Sequence, residues 1–216
     1  MSLFPDFRLD PNGFTPLDYS AERALQDQGV SIVAGTDEVG RGCLAGPVMA
    51  AAVVLDPENI PQGLRDSKKL SPKARDRLAI EIKSSALAWG LGAGSVGLID
   101  SVNILNASLT AMHRAVNALS LKPDHVLVDG NRPPRWGYPS TLVTKGDDRV
   151  LSIAAASILA KVSRDRVMAA LGDRYPDYGW AQNAGYGAPV HLNALKLVGV
   201  TDHHRKSFKP IREAIS

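Results

Sequence analysis

Eight consecutive apolar residues, Val48-Met49-Ala50-Ala51-Ala52-Val53-Val54-Leu55, constrain this chain more than any other feature. A strand with one wet face alternates apolar and polar side chains, whereas a strand covered on both faces has no need to alternate. The run is strand-sized and well short of the roughly 18 apolar residues that signal a membrane-crossing helix. It predicts a central strand in a sheet with helices packed around it. The 216-residue chain is 44% hydrophobic and 22% charged, ordinary for a domain that buries a full core, and this excludes general disorder.

Periodicity and turn signals arrange the other elements around that strand. Residues 31–36 read as a first strand running into Asp37 and Glu38; a glycine-rich loop follows (Gly40, Gly42, Gly46), closed by Pro47. Ser71-Pro72 predicts a helix start, with Ser as N-cap and Pro at the first helical position. Ala74, Leu78, Ile82 and Ala86 then recur every four residues. Residues 88–95 alternate Gly with small or apolar residues and read as a third strand. Val102, Leu105, Leu109, Met112, Val116 and Leu119 form one apolar stripe at helical spacing. Pro123 stops that helix, and residues 125–128 make a fourth strand ending at Asp129-Gly130; residues 141–144 make a fifth. An alanine-rich helix covers 154–162 and continues to Leu171, with Gly172 placed to end it. This order predicts an α/β domain with a mixed five-stranded sheet flanked by helices. Residues 1–30 read as a leader, 31–172 as the core, and 173–216 as a small helical, basic C-terminal region packing on it, one domain in all.

Charge and cysteine content narrow the setting. Lys and Arg exceed Asp and Glu by 25 − 22 = 3, compatible with a polyanionic partner without demanding one. The single cysteine, Cys43, rules out an internal disulfide framework and fits a reducing compartment such as the cytoplasm. The first ten residues lack a basic region followed by an apolar block, so neither a signal peptide nor a membrane partner is expected.

Acids stand at the strand ends. Asp37 and Glu38 leave the first strand, Asp129 the fourth, and Asp147 and Asp148 follow the fifth. In open α/β sheets, sites form in the crevice beyond strand ends. Converging carboxylates repel one another unless a cation neutralises them, and hard oxygen ligands without a Cys or His cluster suit Mg2+ or Mn2+. Two such ions can activate water and stabilise the leaving oxygen in phosphodiester cleavage. Each acid also has a plainer role: Asp129-Gly130 is a common turn dipeptide, and Asp147 or Asp148 can cap the next helix. Adjacent Asp37 and Glu38 have no such structural use.

These residues carry a resemblance. Gly35-Thr36-Asp37-Glu38-Val39-Gly40-Arg41-Gly42 resembles the signature of the type 2 ribonucleases H, the bacterial ribonuclease HII family. Asp66-Ser67-Lys68-Lys69-Leu70-Ser71, Val128-Asp129-Gly130-Asn131, Lys145-Gly146-Asp147, the run from Ala155 to Val162 with Arg164-Asp165, and Gly185-Tyr186 are similar to further family blocks, in the family's order. The resemblance spans about residues 32–208. It implies an RNase H-like fold with a C-terminal helical region, and metal-dependent endonucleolytic cleavage of the RNA strand of RNA–DNA hybrids. It further implies cleavage 5′ of single ribonucleotides in duplex DNA, leaving 3′-hydroxyl and 5′-phosphate ends. Asp37, Glu38 and Asp129 match the family's metal-binding acids and Asp147 its fourth carboxylate, leaving Asp148 as the candidate cap.

Gly40, Arg41 and Gly42 resemble the family's ribose-reading loop, and glycine lets backbone groups approach a sugar whose 2′-hydroxyl both donates and accepts. Tyr186 matches the tyrosine that packs on the ribose, and Lys68 a phosphate contact. Where family members often carry a His-Lys pair before Gly-Tyr, this chain has Asn183-Ala184. His203-His204 beside Arg205 and Lys206 reads as basic surface, His113 as structural and Cys43 as a small packing residue. A monomer is expected. The competing reading is a non-catalytic module that binds hybrids through the same basic face. Four acids argue against it, since surplus carboxylates would only repel phosphate without a metal.

Overall fold

A computed structural model describes residues 17–132 and 134–215. The central element is strand β1 (Val33–Val39), antiparallel to β2 (Val48–Val54) and parallel to β4 (His125–Asp129). Strand β3 (Ala88–Gly94) extends the sheet beyond β2, and β5 (Ser140–Val143) extends it beyond β4. The order is β3-β2-β1-β4-β5, a mixed five-stranded sheet. Every residue of β2 is buried. Ala51 and Val53 join the apolar cluster on one face, while Val48, Ala50 and Ala52 join the cluster on the other. The uninterrupted apolar run exists because both faces of this strand are covered.

Helices α2 (Pro72–Ser85) and α4 (Leu151–Arg174) cover the first face, and α3 (Val96–Asn117) covers the second. Ser71 caps α2, its hydroxyl accepting from Ala74 N–H at 3.3 Å. The glycines of β3 have a packing reason. A β-carbon on Gly90, Gly92 or Gly94 would run into the carbonyl of Ala115, Ala111 or Ala107, so α3 lies directly on the strand backbone. The helix also starts before the apolar stripe does. Ser95 caps it, and at Asn103 (φ +71°) the chain leaves helical geometry before resuming. Asn103 then caps the second part, its side-chain oxygen accepting from Asn106 N–H at 3.1 Å. The stripe from Val102 marks that second part.

Three expectations differ from the structure. Gly172 lies inside α4 and does not end it: a β-carbon there would stand 2.6 Å from Ala181 N, so glycine admits the next helix. That helix, α5 (Trp180–Asn183), is followed by α6 (Pro189–Leu197) and α7 (Lys209–Ala214), the short C-terminal helices expected. Asp148 does not cap α4 but pairs with Lys69 at 2.6 Å. The α4 terminus is instead served by Glu22, which accepts from Ser152 N–H at 2.8 Å. Glu22 belongs to helix α1 (Ser20–Gln26), in the stretch read as a leader. Ala21 and Leu25 of α1 pack with Val33, Leu127 and Ile153; residues 1–16 of that stretch lie outside the described residues. Among the described residues no helix is long and apolar enough to cross a membrane.

Candidate active site

Three neighbouring parallel strands deliver acids to one sheet edge. β1 and β4 run in register with Thr36 opposite Val128, so Asp37 and Asp129 follow side by side one position further on. β5 is parallel to β4, and the 3-10 turn after it, Gly146–Asp148, carries Asp147. The strand β1 extends through Asp37 and Glu38, which lie within its last turns of pleat and do not trail into the loop. Asp37, Glu38 and Asp129 each offer a carboxylate oxygen within 4.8 Å of the others. Asp147 stands outside that triad, but its charge helps raise Asp37, and the charge of Asp129 helps raise Asp147 in turn.

Electrostatics set this edge apart. Burial, then the charges of Glu38 and Asp129, push the Asp37 carboxyl well above the usual carboxylate range. Asp129 and Asp147 are raised as well, mainly by burial. Two backbone amides bind the cluster: Glu38 N–H donates to Asp37 Oδ1 and Gly146 N–H to Asp129 Oδ1, each at 2.6 Å. Arg41 donates to Glu38 Oε1 at 2.9 Å, while Glu38 Oε2 is buried with no hydrogen-bond partner. Crowded, buried carboxyls with an orphaned oxygen and no sulfur or imidazole beside them suit a hard divalent cation. Lys68 Nζ lies 3.5 Å from Asp147 Oδ2 and 3.9 Å from Asp66 Oδ1. Asp66 caps the 3-10 turn that carries Lys68, accepting from its N–H at 2.9 Å. Burial lowers the Lys68 ammonium pKa, but Asp147, Asp66 and Asp37 outweigh it, and the net shift is upward.

The glycine loop adjoins the acids. Gly40 has φ +92°, and a β-carbon there would collide with the Arg164 side chain; Arg41 and Gly42 are exposed. Tyr186 faces the loop, its Cε1 3.8 Å from where a β-carbon on Gly42 would sit. Leu44 N–H donates to the Gly185 carbonyl at 2.8 Å, fastening the loop to the tyrosine segment. Asn183 and Ala184, in place of the usual His-Lys, have local roles: Asn183 Oδ1 accepts from Gly185 N–H at 2.8 Å, and the Ala184 carbonyl accepts from Arg164.

The C-terminal basic cluster is not the surface that its sequence suggests. His204 and Arg205 are fully buried. His204 bonds to His191 (Nε2 to Nε2, 3.0 Å) within a cage containing Tyr178 and Trp180. Burial holds the His204 imidazole down at about 4 and the Arg205 guanidinium at about 10, so at neutral pH the first is uncharged and the second a cation. Arg164 is the other residue whose importance sequence reasoning misses. Its signal is positional: Ala156, Ala160, Arg164, Met168 and Gly172 recur every four residues on the buried side of α4. Cys43 is buried, and His113 packs edge-on against Trp136, consistent with the structural parts expected of them.

Sheet order, flanking helices and acids gathered at one edge define the ribonuclease H class of α/β enzymes. The crystal structure of ribonuclease H2 from Pyrococcus horikoshii OT3 superposes with a TM-score of 0.72 at 27% identity, covering 85% of this chain and 97% of that one. The sequence profile of the ribonuclease HII family matches residues 34–211. Ribonuclease HII of Thiobacillus denitrificans is 57% identical over 178 residues, 82% of this chain and 87% of the relative. That of a Ruegeria species is 54% identical over 199 residues, 92% and 86% respectively. The chain belongs to the ribonuclease HII family. It is a ribonuclease H that acts on nucleic acid, and not a non-catalytic binding module.

Proposed function

We propose that this enzyme hydrolyses the RNA strand of RNA–DNA hybrids and cuts on the 5′ side of single ribonucleotides embedded in duplex DNA, leaving 3′-hydroxyl and 5′-phosphate ends. The observation that carries the reading is the continuity of loop and acids: Gly40 follows Glu38 by two residues, and Tyr186 closes the far side of the same loop. A ribose seated between Gly40, Arg41, Gly42 and Tyr186 brings its neighbouring phosphodiester to the acidic edge. Asp37, Glu38, Asp129 and Asp147 hold Mg2+ or Mn2+ there, as a two-ion site. When bound, such cations supply the Lewis acidity that activates water and stabilises the leaving oxygen. Lys68 presents its ammonium, largely exposed, to a phosphate at the same edge. Every residue of the proposed site comes from one chain, so no second copy is needed to complete it; a monomeric enzyme of the cytoplasm accompanies this reading.

One gel tests the proposal. A labelled DNA duplex with a single ribonucleotide is incubated with the enzyme, with and without Mg2+ or Mn2+. Cleavage 5′ of the ribonucleotide, only with the cation, is expected. An uncut duplex beside a degraded continuous hybrid overturns the single-ribonucleotide assignment, and cleavage that survives EDTA overturns the metal assignment.

A further inference from the structure

Two buried guanidiniums lie beneath the glycine loop, and among the described residues neither forms an ion pair with a carboxylate. Their donors go to six backbone carbonyls instead. Arg205 donates from Nη2 to Gly40 O at 2.7 Å, from Nη1 to Arg41 O at 2.9 Å and from Nε to Gly46 O at 3.0 Å. Arg164 donates from Nε to Pro47 O at 2.9 Å, from Nη2 to Ala45 O at 3.1 Å and from Nη1 to Ala184 O at 2.8 Å. A buried cation without a counter-charge is costly, and well-packed apolar side chains often serve stability at least as well. Packing alone therefore does not call for two arginines here.

Peptide geometry shows what they accomplish. In a trans peptide the C=O and the following N–H point to opposite sides, and no cis bond occurs among the described residues. With the Gly40 and Arg41 carbonyls turned toward Arg205, the N–H groups of Arg41 and Gly42 are turned away from it. Both residues are exposed, and neither amide donates to a carbonyl among the described residues. Arg164 meanwhile ties the far end of the loop to Ala184, two residues before Tyr186.

We propose that Arg205, with Arg164 tying down the far end of the same loop, is a positioning residue for ribose recognition: it fixes two loop carbonyls so that the Arg41 and Gly42 amides stand free to donate to a 2′-hydroxyl. This rests on the reading that the loop senses that hydroxyl. An amide donor aimed at a hydroxyl discriminates strongly against a sugar that lacks it, because the donor is then left unpaired.

The test compares Arg205→Lys and Arg205→Ala with wild type on a single-ribonucleotide duplex and on a continuous hybrid, with melting curves to report the folded fraction. Lysine keeps the charge but replaces a planar three-point fork with one ammonium. In the lysine variant, kcat/KM on the single-ribonucleotide duplex should fall at least about tenfold more than on the hybrid, where neighbouring riboses make further contacts. The alanine variant, if it folds, should regain part of that loss on addition of methylguanidinium. Equal losses on the two substrates in the lysine variant make Arg205 a scaffold residue and overturn the proposal. Wild type that ignores a lone ribonucleotide overturns the ribose reading itself, a different failure recognisable without any variant.

Discussion

The backbone N–H of Gly146 donates to Asp129 Oδ1 at 2.6 Å, tying the acid at the end of β4 to the turn that carries Asp147. This bond makes Asp129→Asn a clean variant, because an amide oxygen can still accept from Gly146. The substitution removes charge and leaves the local fold in place. Loss of an outer-shell partner in a metal site typically costs about 10- to 100-fold, so loss of a carboxylate in direct contact should cost about 100-fold or more. Cleavage rates, beside melting temperature and duplex binding, check this. A variant with near-normal turnover would show that β4 takes no part in the chemistry.

The Asp37 carboxyl links pH to cation binding. Burial, then the charges of Glu38 and Asp129, raise it above its ordinary value, so the folded cation-free protein binds protons more tightly than the unfolded chain. Stability is therefore fullest below the unfolded value and falls as pH rises through the folded one. A divalent cation offsets the same repulsion. Thermal shifts measured with and without Mg2+ should be larger at about pH 8 than at about pH 5, because a cation offsets repulsion only among carboxyls that have lost their protons. No shift at either pH would sink the cation site.

His204 gives the opposite pH dependence. Its Nδ1 accepts Thr201 N–H at 2.9 Å, which leaves its Nε2–H to donate to His191 Nε2. Burial and the neighbouring His191 lower it from 6.5 to about 4. The unfolded chain therefore binds the extra proton over that interval. Stability from this group is present above about pH 6.5 and is lost as pH falls toward 4, a difference of about 3 kcal/mol at most. Imidazole resonances followed by NMR should show one histidine titrating only near the acid limit of folding. If all five histidines titrate near the ordinary value, the buried pair does not exist in solution.

Lys68 tests a phosphate contact. Lys68→Ala should weaken duplex binding and reduce the slope of log K against log salt by about 0.9. If the slope stays unchanged, Lys68 serves only to balance Asp147 and Asp66.

What was legible in the sequence follows physical reach. The β2 run declares its two covered faces, and Ser71-Pro72 declares its helix, because both signals are local. The acids were legible as strand-end residues, but their approach depends on β1, β4 and β5 running parallel, which no short window records. The glycines of β3 read as a strand without revealing that α3 carbonyls press against them. Arg205 and His204 misled because charge normally means surface; their partners are carbonyls and a ring brought in by other segments. Glu22 escaped notice for the same reason, since it caps a helix starting about 130 residues later in the chain.

Tyr186 separates ribose recognition from scaffolding. Its main chain is held independently of its ring: the N–H donates to Asn183 O at 2.9 Å, and the carbonyl faces His191 Nδ1 at 2.8 Å. The ring itself is half-exposed over Gly42. Truncation at this position should therefore leave the fold intact and remove only the surface offered to a sugar. Covering an aromatic ring contributes about 1.5–3 kcal/mol, so Tyr186→Ala should lose about 10- to 100-fold in rate on a single-ribonucleotide duplex. On a continuous hybrid the loss should be smaller, because neighbouring riboses still make contacts. Tyr186→Phe keeps the ring and should stay close to wild type on both, assigning the effect to packing and not to the hydroxyl. Rates for the three proteins on the two duplexes decide the matter. Equal losses for the alanine variant on both would make Tyr186 a structural residue, and a phenylalanine variant as impaired as alanine would shift the role to its hydroxyl, whose pKa burial and Cys43 already raise.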